Sequence, residues 1–264
     1  MVPAGKGSAG HYLPELLELA REYLEPLGWF ESLRQCRAVD THGPLPWITY
    51  PAIELLKRID MRQRRVFEYG AGASSLWWAG RGAEVVSVDC DPDWLRFAPV
   101  SSSLLPGNTV HVFEKDAPAP PIVTEWIEKE FFCRGLDPEP DCETMPKWCV
   151  ACRPYLAYAA SILMYPEKHF DVVVIDGAAR VLCAWLAPRA LSDEGIIVFD
   201  NADRVVYSKA YGWLASQGFA RLDFWGPSPQ NRYESCTSVF TKSVGLFMLG
   251  RRADVAPRPE HYWR

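Results

Sequence analysis

The sequence has no apolar run approaching the roughly 18 residues of a membrane span. Its first residues, MVPAGKGSAGHYL, hold no hydrophobic stretch of the kind that opens a secretory leader. Positive charge is not in excess either: 28 Lys and Arg stand against 33 Asp and Glu, a formal net charge of −5. A protein that holds nucleic acid or an anionic membrane by a general electrostatic field needs the opposite balance, so neither partner is expected. There is also no internal repeat and no low-complexity tract. What remains points to a soluble, cytoplasmic protein whose 264 residues, 48% of them apolar, can build a real core.

Cysteine is abundant instead, with eight in the chain. Cys36, Cys90, Cys183 and Cys236 are scattered and read as small buried hydrophobes. Cys133, Cys142, Cys149 and Cys152 are clustered with the spacing C-x8-C-x6-C-x2-C. In a reducing compartment such a group suggests a structural zinc site with four thiolate ligands, its last pair spaced like half a zinc knuckle. Unrelated loop thiols are the other reading.

Leu13, Leu16, Leu17, Ala20 and Leu24 recur at helical spacing and predict an amphipathic helix over 11–27. Pro51 predicts the first turn of a second helix, capped near Thr49 or Tyr50. Residues 1–64 are therefore expected to form an N-terminal helical cap. From Arg65 onward short apolar strands alternate with helices. Strands are expected at 66–69, 85–88, 109–113, 171–175 and 196–199, with helices at 74–80, 92–98, 154–165 and 180–191. Apolar strands joined by helices predict a parallel sheet covered on both faces, with ligands outside the strand C-terminal ends. Two more strands, near 221–225 and 238–249, are expected to close the chain as an antiparallel pair. Residues 118–153, with six prolines and all four clustered cysteines, form an insert too long for an ordinary connection.

The first strand runs into Glu68-Tyr69-Gly70-Ala71-Gly72-Ala73-Ser74-Ser75. Gly70 permits a tight turn and Gly72 lets backbone approach a ligand, with a helix start behind them. A dinucleotide fingerprint would carry a third glycine where Ser75 stands, which disfavours a nicotinamide cofactor. The second strand ends at Asp89, placed to accept from ribose hydroxyls, and the third is followed by Asp116.

With these residues the sequence resembles the class I S-adenosylmethionine-dependent methyltransferases over roughly 65–249. The resemblance implies an α/β, Rossmann-like sheet of seven strands, mostly parallel with a terminal antiparallel strand. It implies S-adenosylmethionine as cofactor, approached by the turn of Glu68, Gly70, Gly72 and Ser74. Asp89 would hold the ribose, Cys90 would lie beside the adenine, and Asp116 would bind the adenine amine. Asp176, after the fourth strand, and Asp200-Asn201, after the fifth, resemble the magnesium-binding positions of catechol-type O-methyltransferases, a set of hard oxygen ligands. Those enzymes carry a lysine after the first Asp; here Arg180 follows, and arginine is no base near neutrality. On the alternative reading Asp176 contacts the cofactor's amino group or a substrate amine, while Asp200-Asn201 only ends a strand. The stretches 43–51 and 221–238 also resemble a group of bacterial methyltransferase-like proteins.

The expected activity is O- or N-methylation of a small molecule, with Asp176, Asn201 and Tyr50 as catalytic candidates and the cap and insert covering the site. Two alternatives stand beside it. One is a cyclase converting the same cofactor to azetidine-2-carboxylate and methylthioadenosine. The other is a non-catalytic module that has kept only the fold. A homodimer is the assembly left open.

Overall fold

A computed structural model describes residues 13–97, 108–138 and 151–243. Its centre is a seven-stranded sheet. The chain opens with helices α1 (Leu13–Leu24) and α2 (Trp29–Gln35), a short hairpin β1 (Val39–Asp40) and β2 (Gly43–Pro44), and helix α3 (Tyr50–Leu56). Then follow β3 (Arg65–Tyr69), α4 (Ala73–Gly80), β4 (Glu84–Asp89), α5 (Pro92–Phe97), β5 (Thr109–Val112) and α6 (Pro121–Ile127). After α7 (Leu156–Ala160) come β6 (Phe170–Ile175), α8 (Arg180–Ala190), β7 (Leu191–Phe199), α9 (Ser208–Ser216), β8 (Ala220–Gly226) and β9 (Ser235–Thr241).

The strand order is β5-β4-β3-β6-β7-β9-β8, with the first five parallel and β9 antiparallel to both its neighbours. This is the expected Rossmann-like sheet. The order departs from sequence between β3 and β6, so the tips of β3, β4, β6 and β7 open onto one crevice.

Strand alternation sorts the apolar residues onto two faces. Val66, Val172, Val174, Ile196 and Val198 point to a core shared with Trp77, Trp78, Ile53 and Leu56. Phe67, Tyr69, Val173, Ile175 and Phe199 point to the other, packed against α7 and α8. Each such side chain contributes about 1.5–3 kcal/mol when fully buried, so the strand tips rest on a rigid base.

The structure differs in detail from expectation at four places. Helix α1 forms, but Leu13, Leu16, Leu17 and Leu19 are all more than half exposed and none of its residues is buried. Periodicity reports a helix, and says nothing of whether a partner covers its stripe. The rest of the N-terminal segment is integral to the sheet, since Leu45, Ile48, Tyr50 and Ile53 lie in the same core as Val66 and Val198. The described part of the 118–153 insert begins as ordered helix. Residues 121–132 are helical, and Ile127 and Phe131 dock into the core, with Phe131 5.4 Å from Trp185. Finally, β9 begins at Ser235, before the expected 238, because it lies between β7 and β8 and pairs on both sides. Among the described residues no helix is long and apolar enough to cross a membrane.

Candidate active site

Four strand tips form the floor. At the end of β3 the backbone turns sharply through Gly70, whose φ of 101° belongs to the region that favours glycine. The Gly70 amide donates to Val88 O at 2.8 Å and the Asp176 amide to Tyr69 O at 3.0 Å, which carries the ladder into the turns. A Cβ on Gly70 would stand 3.0 Å from the Gly177 nitrogen, and a Cβ on Gly177 would collide with the Tyr158 hydroxyl. The loops after β3 and β6 therefore touch backbone to backbone.

Asp89, buried at the tip of β4, holds the glycine turn from the side. Its Oδ2 accepts from the Ala71 amide at 2.9 Å, and its Oδ1 from the Cys90 and Asp91 amides at 2.7 and 2.9 Å. Burial pushes its carboxyl up while these three amides pull it down. Asp91 Oδ1 accepts from the Asp93 and Trp94 amides, starting α5, and the Trp94 indole N–H returns to Ala71 O at 2.8 Å. The Trp94 ring thus lies over Gly72.

Glu68 works beneath the turn. It is fully buried in β3 and does not line the cleft. The Ser75 hydroxyl donates to its Oε2, the Ser87 hydroxyl lies 2.8 Å from the same oxygen, and Ser75 Oγ accepts from the Gly72 amide at 3.1 Å. Burial drives the Glu68 carboxyl up to about 7 against the pull of the serine hydroxyls.

The tips of β6 and β7 are joined by Arg180, a nearly buried guanidinium at the start of α8. It donates to Gly177 O (3.0 Å), Asp176 O (2.8 Å) and Asp200 O (2.6 Å), and lies 3.1 Å from both Asp176 Oδ1 and Asn201 Oδ1. Asp200 Oδ1 accepts from Thr237 Oγ1 at 2.7 Å, and Thr237 Oγ1 in turn accepts from the Thr49 amide at 3.0 Å. Burial and the charge of Asp200 push Asp176 well above the carboxylate range, with Arg180 and Arg204 opposing, although 26% of its side chain stays accessible. Burial likewise raises Asp200, opposed by Arg180 and Thr237.

These groups border a cleft of about 1170 Å³. Gly70, Gly72, Ser74, Asp89 and Cys90 line one end, with Trp94 and Tyr155 beside them. Asp176, Asp200, Asn201 and Arg204 lie along the middle, and the far wall comes from Cys36–Val39, Trp47, Gln230, Asn231 and Tyr233. That wall is stitched across the chain: the Trp29 indole N–H donates to Asn231 O at 2.9 Å, and the Gln230 amide oxygen, correctly oriented, accepts from the Arg37 and Ala38 amides at 3.2 Å.

Several expected site residues lie elsewhere. Asp116 is exposed on the loop after β5, donates its amide to Pro154 O, and does not reach the cleft. Tyr50 packs into the core behind α3, where burial pushes its hydroxyl up to about 12, and it too stands away from the cleft. A divalent cation does not fit Asp176, Asp200 and Asn201, because the Arg180 guanidinium already lies against Asp176 and Asn201 and is permanently charged. Of the clustered cysteines, Cys142 and Cys149 lie outside the described residues. Cys133 is exposed, whereas Cys152 is buried in the core with Asp137 and Cys183 near its thiol. No group of three or more His, Cys, Asp or Glu suited to a metal occurs among the described residues. Nothing in the sequence marks Tyr155, and only the proximity of Trp94 to Asp91 hints at a role for Trp94. Arg180 stood out only as a departure from a lysine.

No family model matches the chain, and no curated protein matches it. Among solved structures it is similar to a methyltransferase-like protein from Silicibacter pomeroyi, at 20% identity over 78% of this chain and 94% of that one, with a TM-score of 0.42. It is similar to a methyltransferase from Geobacter sulfurreducens at 16% identity, covering 92% and 93%, with a TM-score of 0.40. A spermidine synthase from Thermotoga maritima shares 11% identity over 74% and 57%, with a TM-score of 0.42.

Proposed function

We propose that the protein is an S-adenosylmethionine-dependent methyltransferase acting on a small molecule. The observation that carries this reading is the single cleft with two unlike ends, a glycine turn with acidic strand tip at one and an aromatic, polar wall at the other. The residues present fit the cofactor. Gly72 leaves backbone open to it. Asp89 has about four acceptor sites, of which backbone amides take three, so Oδ2 keeps one for a ribose hydroxyl. Cys90 and Tyr155 offer apolar flanks for an adenine, and Trp94 covers the turn.

When bound, the cofactor supplies an electrophilic methyl carbon: the acceptor's lone pair forms the new bond, and the pair of the broken carbon–sulfur bond stays on sulfur. The chain's contribution is placement and exclusion of water. Asp176 stands between the two ends and is the group that would accept the acceptor's proton. Arg180 holds it in place through both its carboxylate and its carbonyl oxygen. Asn201 lies beside it as a polar contact. The room beyond Asp176 favours a second molecule over cyclisation of the cofactor alone, since pockets for one ligand commonly measure about 300–1000 Å³.

The test is titration with S-adenosylmethionine by calorimetry, followed by mass spectrometry of the products. One-to-one binding, lost at least 100-fold in Gly72→Val, is expected, with the cofactor intact when no acceptor is present. Absence of binding overturns the reading. So does release of methylthioadenosine and a cyclic amino acid above the spontaneous rate.

A further inference from the structure

Arg204 makes no side-chain hydrogen bond to the floor, although its charge bears on Asp176 and Asp200. Its backbone is fixed, with its amide donating to Asn201 O at 3.2 Å and its carbonyl accepting from Tyr207 at 3.1 Å. Its side chain is half-buried and lines the cleft beyond Asp176. The neighbouring Asp203, the obvious partner by sequence, is committed elsewhere, with Oδ1 accepting from the Cys236 amide at 3.1 Å. No side chain among the described residues makes a hydrogen bond or ion pair with the Arg204 guanidinium, in contrast to Arg180, whose donors are spread over five acceptors. Arg37 stands on the rim of the same cleft, as do the partly exposed rings of Trp47 and Tyr233.

We propose that the acceptor is a small organic monoanion that presents a carboxylate to Arg204 and lays an apolar, planar body along Trp47 and Tyr233. This rests on the methyltransferase reading. A guanidinium fork matches a carboxylate through two parallel hydrogen bonds. The acidic lining of the cleft disfavours a ligand that carries more than one negative charge. Asp89, Asp91, Asp176 and Asp200 line it against Arg37, Arg180 and Arg204, and Arg180 is already spent on the floor. A phosphate dianion would meet net repulsion. With its carboxylate at Arg204, the acceptor's hydroxyl or amine falls on the side of Asp176.

The experiment is calorimetric titration with matched probes in the presence of saturating S-adenosylhomocysteine. The probes are 4-hydroxybenzoate and 2-aminobenzoate, their carboxamides, and phenyl phosphate. The wild type is expected to bind at least one benzoate ten-fold or more tighter than its carboxamide and than phenyl phosphate. Arg204→Gln is expected to lose that preference. Arg204→Lys, keeping charge but not the fork, should recover part of it, and S-adenosylhomocysteine should bind both variants within two-fold of wild type. Equal binding of benzoates and carboxamides, preference for phenyl phosphate, no benzoate binding in a protein that binds S-adenosylhomocysteine, or an unchanged preference in Arg204→Gln would each overturn the proposal. If the wild type does not bind S-adenosylhomocysteine, the underlying methyltransferase reading fails first and the proposal falls with it. Thermal unfolding of each variant separates loss of binding from loss of fold.

Discussion

The two halves of the cleft floor are held by opposite means. Under the cofactor end, backbone amides converge on acidic side chains: Ala71, Cys90 and Asp91 donate to Asp89, and Gly72 reaches Glu68 through Ser75. Under the other end, one side chain converges on backbone carbonyls, with Arg180 gathering Gly177, Asp176 and Asp200. The first arrangement uses residues that are neighbours in sequence or sit on adjacent strands. The second depends on one long cation crossing two strand tips. Where many short contacts share the task, losing one should be tolerated; where one guanidinium does it, loss should be severe.

Removing that cation is the most direct way to break the contrast. Arg180→Leu would strand three carbonyls and leave Asp176 and Asp200 without a buried counter-charge. A loss of about 4 kcal/mol in urea unfolding is expected, typical of half of a buried ion pair removed alone. A loss under 1 kcal/mol would show that this half is as redundant as the other.

Glu68 sharpens the comparison with pH. Its carboxyl titrates near 4.5 in the unfolded chain and at about 7 in the fold, so the native state binds the extra proton between those values. Stability from this group is therefore greatest at low pH and declines as pH rises through 7. Glu68→Gln removes the dependence, and should exceed wild type by about 3 kcal/mol above pH 7, the gap shrinking toward pH 5. Unfolding curves at pH 5.5, 6.5, 7.5 and 8.5 would show it; a constant gap would refute it.

The seam between the halves comes next. Gly177→Ala forces a Cβ into the Tyr158 hydroxyl and against the Gly70 backbone, for a cost of about 2 kcal/mol. Tyr158→Phe should recover part of it, because the hydroxyl goes and the backbone contact stays. A double-mutant cycle with no coupling would place the strain elsewhere. The smallest effect is expected at Trp94→Phe, which loses one indole bond to Ala71 O, about 1 kcal/mol. Cofactor affinity should fall with it by a few-fold, while benzoate binding stays unchanged.

The same contrast explains how much could be seen in the sequence. Gly70, Asp89, Asp176 and Asp200 were legible because each follows a short apolar run, and a parallel sheet brings such ends together. Asp116 follows the same rule in sequence but belongs to the edge strand β5, whose Thr109, His111 and Val112 are exposed, and its loop turns toward Pro154. Ser235–Thr237 lie just before the expected start of the last strand. Their polar groups are absorbed by Asp200 and Asp203, pairings that separate elements supply and no window of sequence displays. Tyr50 was misplaced for a related reason: an aromatic next to a turn motif can face a cleft or a core, and tertiary packing alone decides. Of the cysteine cluster, Cys152 is claimed by the core, which spacing cannot reveal.

The contact between Gly70 and Gly177 has a consequence for how such a protein can change over generations. A floor whose spacing is set by main chain against main chain is insensitive to most substitutions around it. The far wall is built from residues 36–39, 47, 230, 231 and 233, outside the strand ladders apart from Val39 and held to one another by a few bonds. Substitutions there can reshape one side of the cleft without moving the strand tips.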